Sequence, residues 1–153
     1  MTYDIPGQGQ LEIKTLILDL NGTLSVGGVV PEGVKQRLDQ LKTKGFKVLF
    51  FTGNTRNDAD DLATSLGIEW KLAKDAVGKR NLAMELEPDT CASIGNGLID
   101  LELMKTVKLR IVTLQAEGVH IQTLLNSDIV IPTINDALDL FIDEQRLIAT
   151  LRK

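Results

Sequence analysis

The 153-residue chain has the length of one domain, and its 43% apolar content is enough to bury a sizeable core. Seventeen basic against twenty-one acidic residues leave a net charge of −4, which argues against a general binder of nucleic acid or of an anionic membrane. One cysteine, Cys91, and one histidine, His120, exclude an intramolecular disulfide and a Cys-based zinc site, and give almost no material for a Ser-His-Asp triad.

No stretch reaches the roughly 18 apolar residues that a membrane-spanning helix needs. Residues 1–10 are polar and Gly-rich, without a signal-peptide core. A reducing, cytoplasmic setting is the expectation.

In chain order, Thr15-Leu16-Ile17-Leu18 is a short continuous apolar run, the pattern of a strand buried on both faces, with Leu11 and Ile13 extending or preceding it. Gly27-Gly28 between Val26 and Val29 predicts a two-residue hairpin turn. Pro31 suits a first helical turn; Val34, Leu38 and Leu41 recur at helical spacing up to Gly45. Residues 46–51 read as a second strand. Thr55 is placed to cap a helix that carries Leu62 and Leu66 and closes at Gly67. A strand at 68–72, a helix at 79–86, a strand at 91–94 and a helix through Met104 follow. The reading ends with a strand at 109–114, a helix at 119–125, a strand at 128–131 and a last helix capped by Asn135. Strands and helices alternating at this pitch predict a doubly wound parallel α/β sheet, three-layer α/β/α, as one domain over residues 1–153.

Ligands in such sheets bind beyond the carboxyl ends of the strands. There the sequence places Asp19, Thr52-Gly53-Asn54, Gly78-Lys79-Arg80 and Gly95-Asn96-Gly97-Leu98-Ile99-Asp100. A carboxylate at a strand tip suits a nucleophile or a metal ligand. A hydroxyl beside exposed amides at a helix start suits a phosphate. Lys79 offers a compact cation, with Lys74 as its rival, and Asp100 a second carboxylate for a hard cation, unless it serves only a helix first turn. Together these are the parts that phosphoryl transfer requires.

Asp19-Leu20-Asn21-Gly22-Thr23-Leu24 after a buried strand resembles the first motif of the haloacid dehalogenase superfamily, Asp-x-Asp-Gly-Thr-Leu. Thr52, Lys79 and Gly95-Asn96-Gly97-x-x-Asp100 follow in the order of its other motifs, and the last resembles the Gly-Asp-Gly-x-Asn-Asp of P-type ATPase phosphorylation domains. Over most of its length the chain is similar to the small archaeal and bacterial proteins called soluble P-type ATPase-like. The resemblance implies a Rossmann-like core and a Mg²⁺-dependent phosphatase. Asp19 would be the nucleophile forming an aspartyl-phosphate. By the same resemblance Asn21, Thr52 and Lys79 would complete the catalytic set, the amides of Gly22, Gly53 and Asn54 would bind phosphate, and Asp19, Asn21 through its backbone carbonyl, Asn96 and Asp100 would hold Mg²⁺.

Three positions depart from the pattern. Asn21 stands where superfamily phosphatases carry the aspartate that protonates the leaving group; a general acid/base contributes ~10²–10⁴-fold, so slow turnover is expected. Asn96 replaces a metal-binding aspartate, and Ile99 replaces a polar residue. Neither gap between motifs leaves room for a cap domain, only for the small Gly27-Gly28 flap, so the site is open. An open site suits a large phosphorylated substrate, a protein partner, or a second copy of the chain acting as a lid, rather than a small buried metabolite. The competing reading is a weak or inactive relative that acts through such contacts. A response-regulator receiver ranks last, because it wants its phosphorylated aspartate after the third strand.

Overall fold

The computed structural model describes residues Met1–Lys153. The chain opens with an antiparallel hairpin of β1 (Thr2–Ile5) and β2 (Gly9–Glu12). Then come β3 (Thr15–Asp19), α1 (Val34–Thr43), β4 (Lys47–Thr52), α2 (Ala59–Leu66) and β5 (Glu69–Leu72). Beyond these lie α3 (Ala76–Met84), β6 (Cys91–Gly95), α4 (Leu101–Thr106), β7 (Leu109–Thr113), α5 (Ile121–Leu125), β8 (Ile129–Ile131), α6 (Ile134–Ile142) and α7 (Glu144–Leu151). Strands β3 to β8 form one parallel sheet in the order β5-β4-β3-β6-β7-β8. This is the expected doubly wound sheet, and no cap interrupts it.

The chain leaves β3 toward β4 and β5, then returns to the other side of β3 as β6. Strand order reverses at β3 and β6, the place where such folds form a crevice at the strands' carboxyl ends. Period-two alternation builds the two faces. Leu16 and Leu18 of β3, with Val48 and Phe50 of β4, join the large core beneath α1 and α6. Ile17, Leu49 and Phe51 point the other way, against Ala83 of α3 and Leu103 of α4. Leu18 is fully buried, so Leu18→Ala is expected to cost about 2–5 kcal/mol, read from urea denaturation.

On the flank of the sheet, Trp70 of β5 stacks on Phe50 of β4 at 6.4 Å, and its indole N–H donates to Asp60 of α2 at 2.8 Å.

Several expected element ends move. Residues 1–10 are not a polar lead-in: Tyr3, Ile5 and Leu11 bury one face of the β1–β2 hairpin, and Ile13 is buried just beyond it. The hairpin meets the sheet beside the amino end of β3, away from the Asp19 tip. Pro31 precedes α1 rather than entering it; Gly33, in the left-handed region, stands at the helix start. The α2 amino end is served by the Asn54 side chain, whose Oδ1 accepts from the Ala59 amide at 3.1 Å, not by Thr55. The last helix is two: Thr133 caps α6 and Asp143 caps α7, while Asn135 lies inside α6 and donates to the Glu32 carbonyl. The Gly27-Gly28 turn forms as expected, with Val26 and Val29 exchanging two backbone hydrogen bonds.

Candidate active site

Asp19 ends the central strand, and its side chain meets Lys79 and Asp100 beneath the crevice. Lys79 projects from α3, whose first turn is capped by Asp75, and is 1% exposed. Its ammonium donates to Asp19 Oδ1 at 2.5 Å and to Asp100 Oδ1 at 2.7 Å. Asp100 Oδ2 accepts from the Asn96 and Gly97 amides at 3.1 Å each. A Cβ on Gly95 would lie 2.5 Å from that oxygen, so only glycine lets the loop close over Asp100.

Two buried carboxylates share one ammonium. Burial pushes the Asp19 carboxyl up to about 7, and the charge of Asp100 pushes the same way; Lys79 and the Leu20 amide hold it back. Burial alone would lower the Lys79 ammonium, but Asp100 and Asp19 outweigh it and hold it above its ordinary value. Lys79 therefore stays charged, and Asp19 is the group poised to change state near neutrality.

Above this triad lies an open cleft of about 240 Å³, lined among others by Asp19, Asn21, Thr52, Gly53, Lys74 and Glu117. A larger groove of about 930 Å³ runs along α1 between Glu32, Lys35, Gln36 and Asp39, but it holds no nucleophile at a strand tip. The expected phosphate-binding amides divide. Gly53 has no backbone acceptor, so its amide is free for an anion, and so is the amide of Asn21, which was not among those expected. The Gly22 amide is spent on the Ser25 carbonyl at 2.7 Å, and the Asn54 amide on Thr52 Oγ1 at 3.1 Å. Gly22 and Asn54 therefore act through loop shape, not as anion donors. Because Thr52 Oγ1 accepts from that amide, its own hydrogen is left to donate.

The expected metal ligands divide as well. The chemistry of Asp19 and Asn21 fits a hard cation: all donors are oxygen, the Asn21 side-chain carbonyl is buried with no hydrogen-bond partner, and its backbone carbonyl accepts none of the loop's backbone bonds. Asp100 fits less well, because Lys79 and two amides take three of its four acceptor sites and it does not line the cleft. Asn96 does not fit. Its Oδ1 accepts from Thr23 at 3.3 Å, and its Nδ2 donates to the Gly118 carbonyl at 2.9 Å. An ionised aspartate at 96 could not make that second bond.

Of the two rival lysines, Lys79 holds the nucleophile and Lys74 lines the cleft. Two residues, Gln115 and Glu117, went unread in the sequence, and Thr23 was read only as part of its motif. Thr23 steadies Asn96, Gln115 Nε2 donates to the Gly22 and Thr23 carbonyls, and Glu117 faces the cleft. Gln115 and Glu117 follow β7, so the strand-end rule, extended to that strand, could have found them.

No protein-family profile matches the chain. It is 40% identical over 86 residues to the uncharacterized protein MJ0073 of Methanocaldococcus jannaschii, covering 54% of this chain and 92% of that one. It is 28% identical over 135 residues to a soluble P-type ATPase-like phosphatase of the same organism, covering 85% of this chain but only half of that relative's length. Among solved structures, a Legionella pneumophila protein assigned to the HAD superfamily, subfamily III A, superposes with a TM-score of 0.74 at 22% identity, covering 91% of this chain and 88% of that one. The 3-deoxy-D-manno-octulosonate 8-phosphate phosphatase of Moraxella catarrhalis, in complex with magnesium, phosphate and KDO, superposes with a TM-score of 0.70 at 22% identity, covering 92% and 94%. The chain thus belongs to one family with the first of these archaeal proteins, and it carries the haloacid dehalogenase-like fold.

Proposed function

We propose that the chain is a divalent-metal-dependent phosphohydrolase that uses Asp19 as nucleophile. The observation that carries this reading is the Asp19 carboxylate at the tip of the central strand, pinned by buried Lys79 and opening onto a cleft beside Thr52. The phosphatases among the relatives and structural neighbours support it.

In the first step an Asp19 oxygen attacks phosphorus and the bond to the leaving oxygen breaks, giving an aspartyl-phosphate. The Gly53 and Asn21 amides, the Thr52 hydroxyl and the Lys79 ammonium face the charge on the phosphoryl oxygens. In the second step water attacks phosphorus, the Asp19–phosphorus bond breaks, and inorganic phosphate leaves. A bound Mg²⁺, held by Asp19 and Asn21, would supply further neutralisation of phosphoryl charge.

Asn21 cannot give a proton to the leaving group or take one from water, so both steps are slow with poor leaving groups. The test is hydrolysis of an activated aryl phosphate with and without Mg²⁺, where the leaving group needs little acid help. Metal-dependent phosphate release supports the reading; none above background sinks it. Asn21→Asp restores an acid in a spot where the present side-chain carbonyl has no partner. It is expected to speed hydrolysis of an alkyl phosphate by ~10²–10⁴-fold, with a far smaller gain on the aryl ester.

A second reading is favoured by one observation. Ile99 stands exposed on the wall of the uncapped cleft, and Leu98 beside it in the chain and Ile121 and Leu125 of α5, which Thr123 ties to the Gly97 carbonyl, are exposed as well. In this reading the face is covered by a partner protein or a second copy, and the test is the mass in solution by light scattering.

A further inference from the structure

The loop after β7 carries Glu117 to the edge of the cleft. Its Oε2 lies 2.6 Å from where a Cβ on Gly22 would stand, and Asn96 Nδ2 lies 2.7 Å from the same point. The carboxylate therefore sits beside the side chain that fails as a metal ligand.

The placement is built, not accidental. On one side of Glu117, Gln115 donates to the Gly22 and Thr23 carbonyls and accepts from the Ile134 amide. On the other, the Gly118 carbonyl accepts from Asn96, and the His120 amide donates to the Asn96 carbonyl at 2.8 Å. The loop is thus fastened to both glycine-rich motif loops, with Glu117 between the fastenings. No lysine or arginine lies within ion-pair distance of its carboxylate.

Charge points the same way. Asp19 and Asp100 against Lys79 leave one negative charge at the triad. Glu117 makes it two and the cleft-lining Lys74 returns it to one, so the site keeps a net negative charge that draws a cation.

We propose that Glu117 supplies the carboxylate that position 96 lacks and acts, with Asp19 and Asn21, toward the divalent cation; this rests on the phosphohydrolase reading above. No three carboxylate, imidazole or thiolate groups converge into a closed cage. The site is thus one in which the ion keeps several waters and draws on two carboxylates and an amide oxygen. The Asn96 clasp to Gly118 is then what fixes the replacement ligand, not a lost function.

The test is Mn²⁺ binding followed by loss of the free-ion electron paramagnetic resonance signal, without any substrate. Glu117→Gln is expected to raise the Kd roughly tenfold or more, while Glu69→Gln, a distant control, leaves it unchanged. The metal-free melting temperature of Glu117→Gln should match the wild type, because no partner is lost. An equal Kd for wild type and Glu117→Gln overturns the inference, as does a wild type that binds no Mn²⁺ at millimolar concentration. Failure of the phosphohydrolase reading shows separately, as an absence of aryl phosphate turnover in a protein that does bind the ion.

Discussion

Asp19→Asn is expected to lower aryl phosphate turnover by roughly 10⁴-fold or more, to the background rate, and to leave a protein more stable than the parent above neutral pH. The first effect follows because an amide cannot form the acyl-phosphate; acid-quenched protein should carry covalent phosphate in the wild type only. The second follows from the buried triad. Burial raises the folded-state Asp19 carboxyl from its ordinary 3.8 to about 7, so the folded chain holds a proton that the unfolded chain releases. Stability from this group is therefore fully present below about pH 4 and is lost as pH rises toward 7. Asparagine does not titrate, so its melting-temperature advantage should grow between pH 4 and 7 and then level off. An advantage that stays flat across that range would show that Asp19 is ionised throughout. A stable variant without activity would also place this strand tip among sites where function is kept at a cost in stability.

Lys79→Met should damage the fold as much as the loss of a large core side chain. It leaves Asp19 and Asp100 buried together with no ammonium between them. Removing one partner of a buried ionic cluster costs about 3–5 kcal/mol, a large part of the stability of a small domain. The pH dependence has a definite sign. Lys79 is what holds the Asp19 carboxyl down against burial and the charge of Asp100, so with the cation gone Asp19 favours the protonated form further and the variant should regain stability as pH falls from 8 to 5. Urea midpoints at the two pH values read this directly. A Lys79→Met protein as stable as wild type at pH 8 would mean that water, not the lysine, neutralises the pair. Adding Asp100→Asn to Lys79→Met removes one of the stranded charges and should recover part of the loss.

The sheet was legible because its central strands are short apolar runs between glycines and helical repeats. Residues 15–18 and 46–51 can hardly be anything but buried strands. The nucleophile's loop was legible because Asp19 to Leu24 is a compact motif. The amino-terminal hairpin was hidden by its length. Four-residue strands around Pro6, Gly7 and Gly9 show almost no alternation, only Tyr3 with Ile5 in β1 and Leu11 alone in β2. What each loop amide does was not legible at all. Whether Gly22 gives its N–H to a phosphate or to Ser25 depends on how the turn closes, and that is a matter of tertiary geometry. The same holds for Asp100 and Asn96, whose residue types fit a metal site but whose partners, Lys79 and the Gly118 carbonyl, lie 21 and 22 positions away. Glu117 carries no motif, and only the folded chain brings it to Gly22.

Trp70 is the chain's one tryptophan, and its place gives the protein a built-in optical probe. The indole leans on Phe50, two residues before Thr52, and is tied to α2 through Asp60. Its strand has a neighbour on one side only, so this flank should open before the buried centre does. Emission from Trp70 would then report loosening of the strand that carries Thr52 ahead of global unfolding. A ligand that quiets that strand should show itself as a shift of the earliest part of the fluorescence transition, while circular dichroism of the whole sheet stays still.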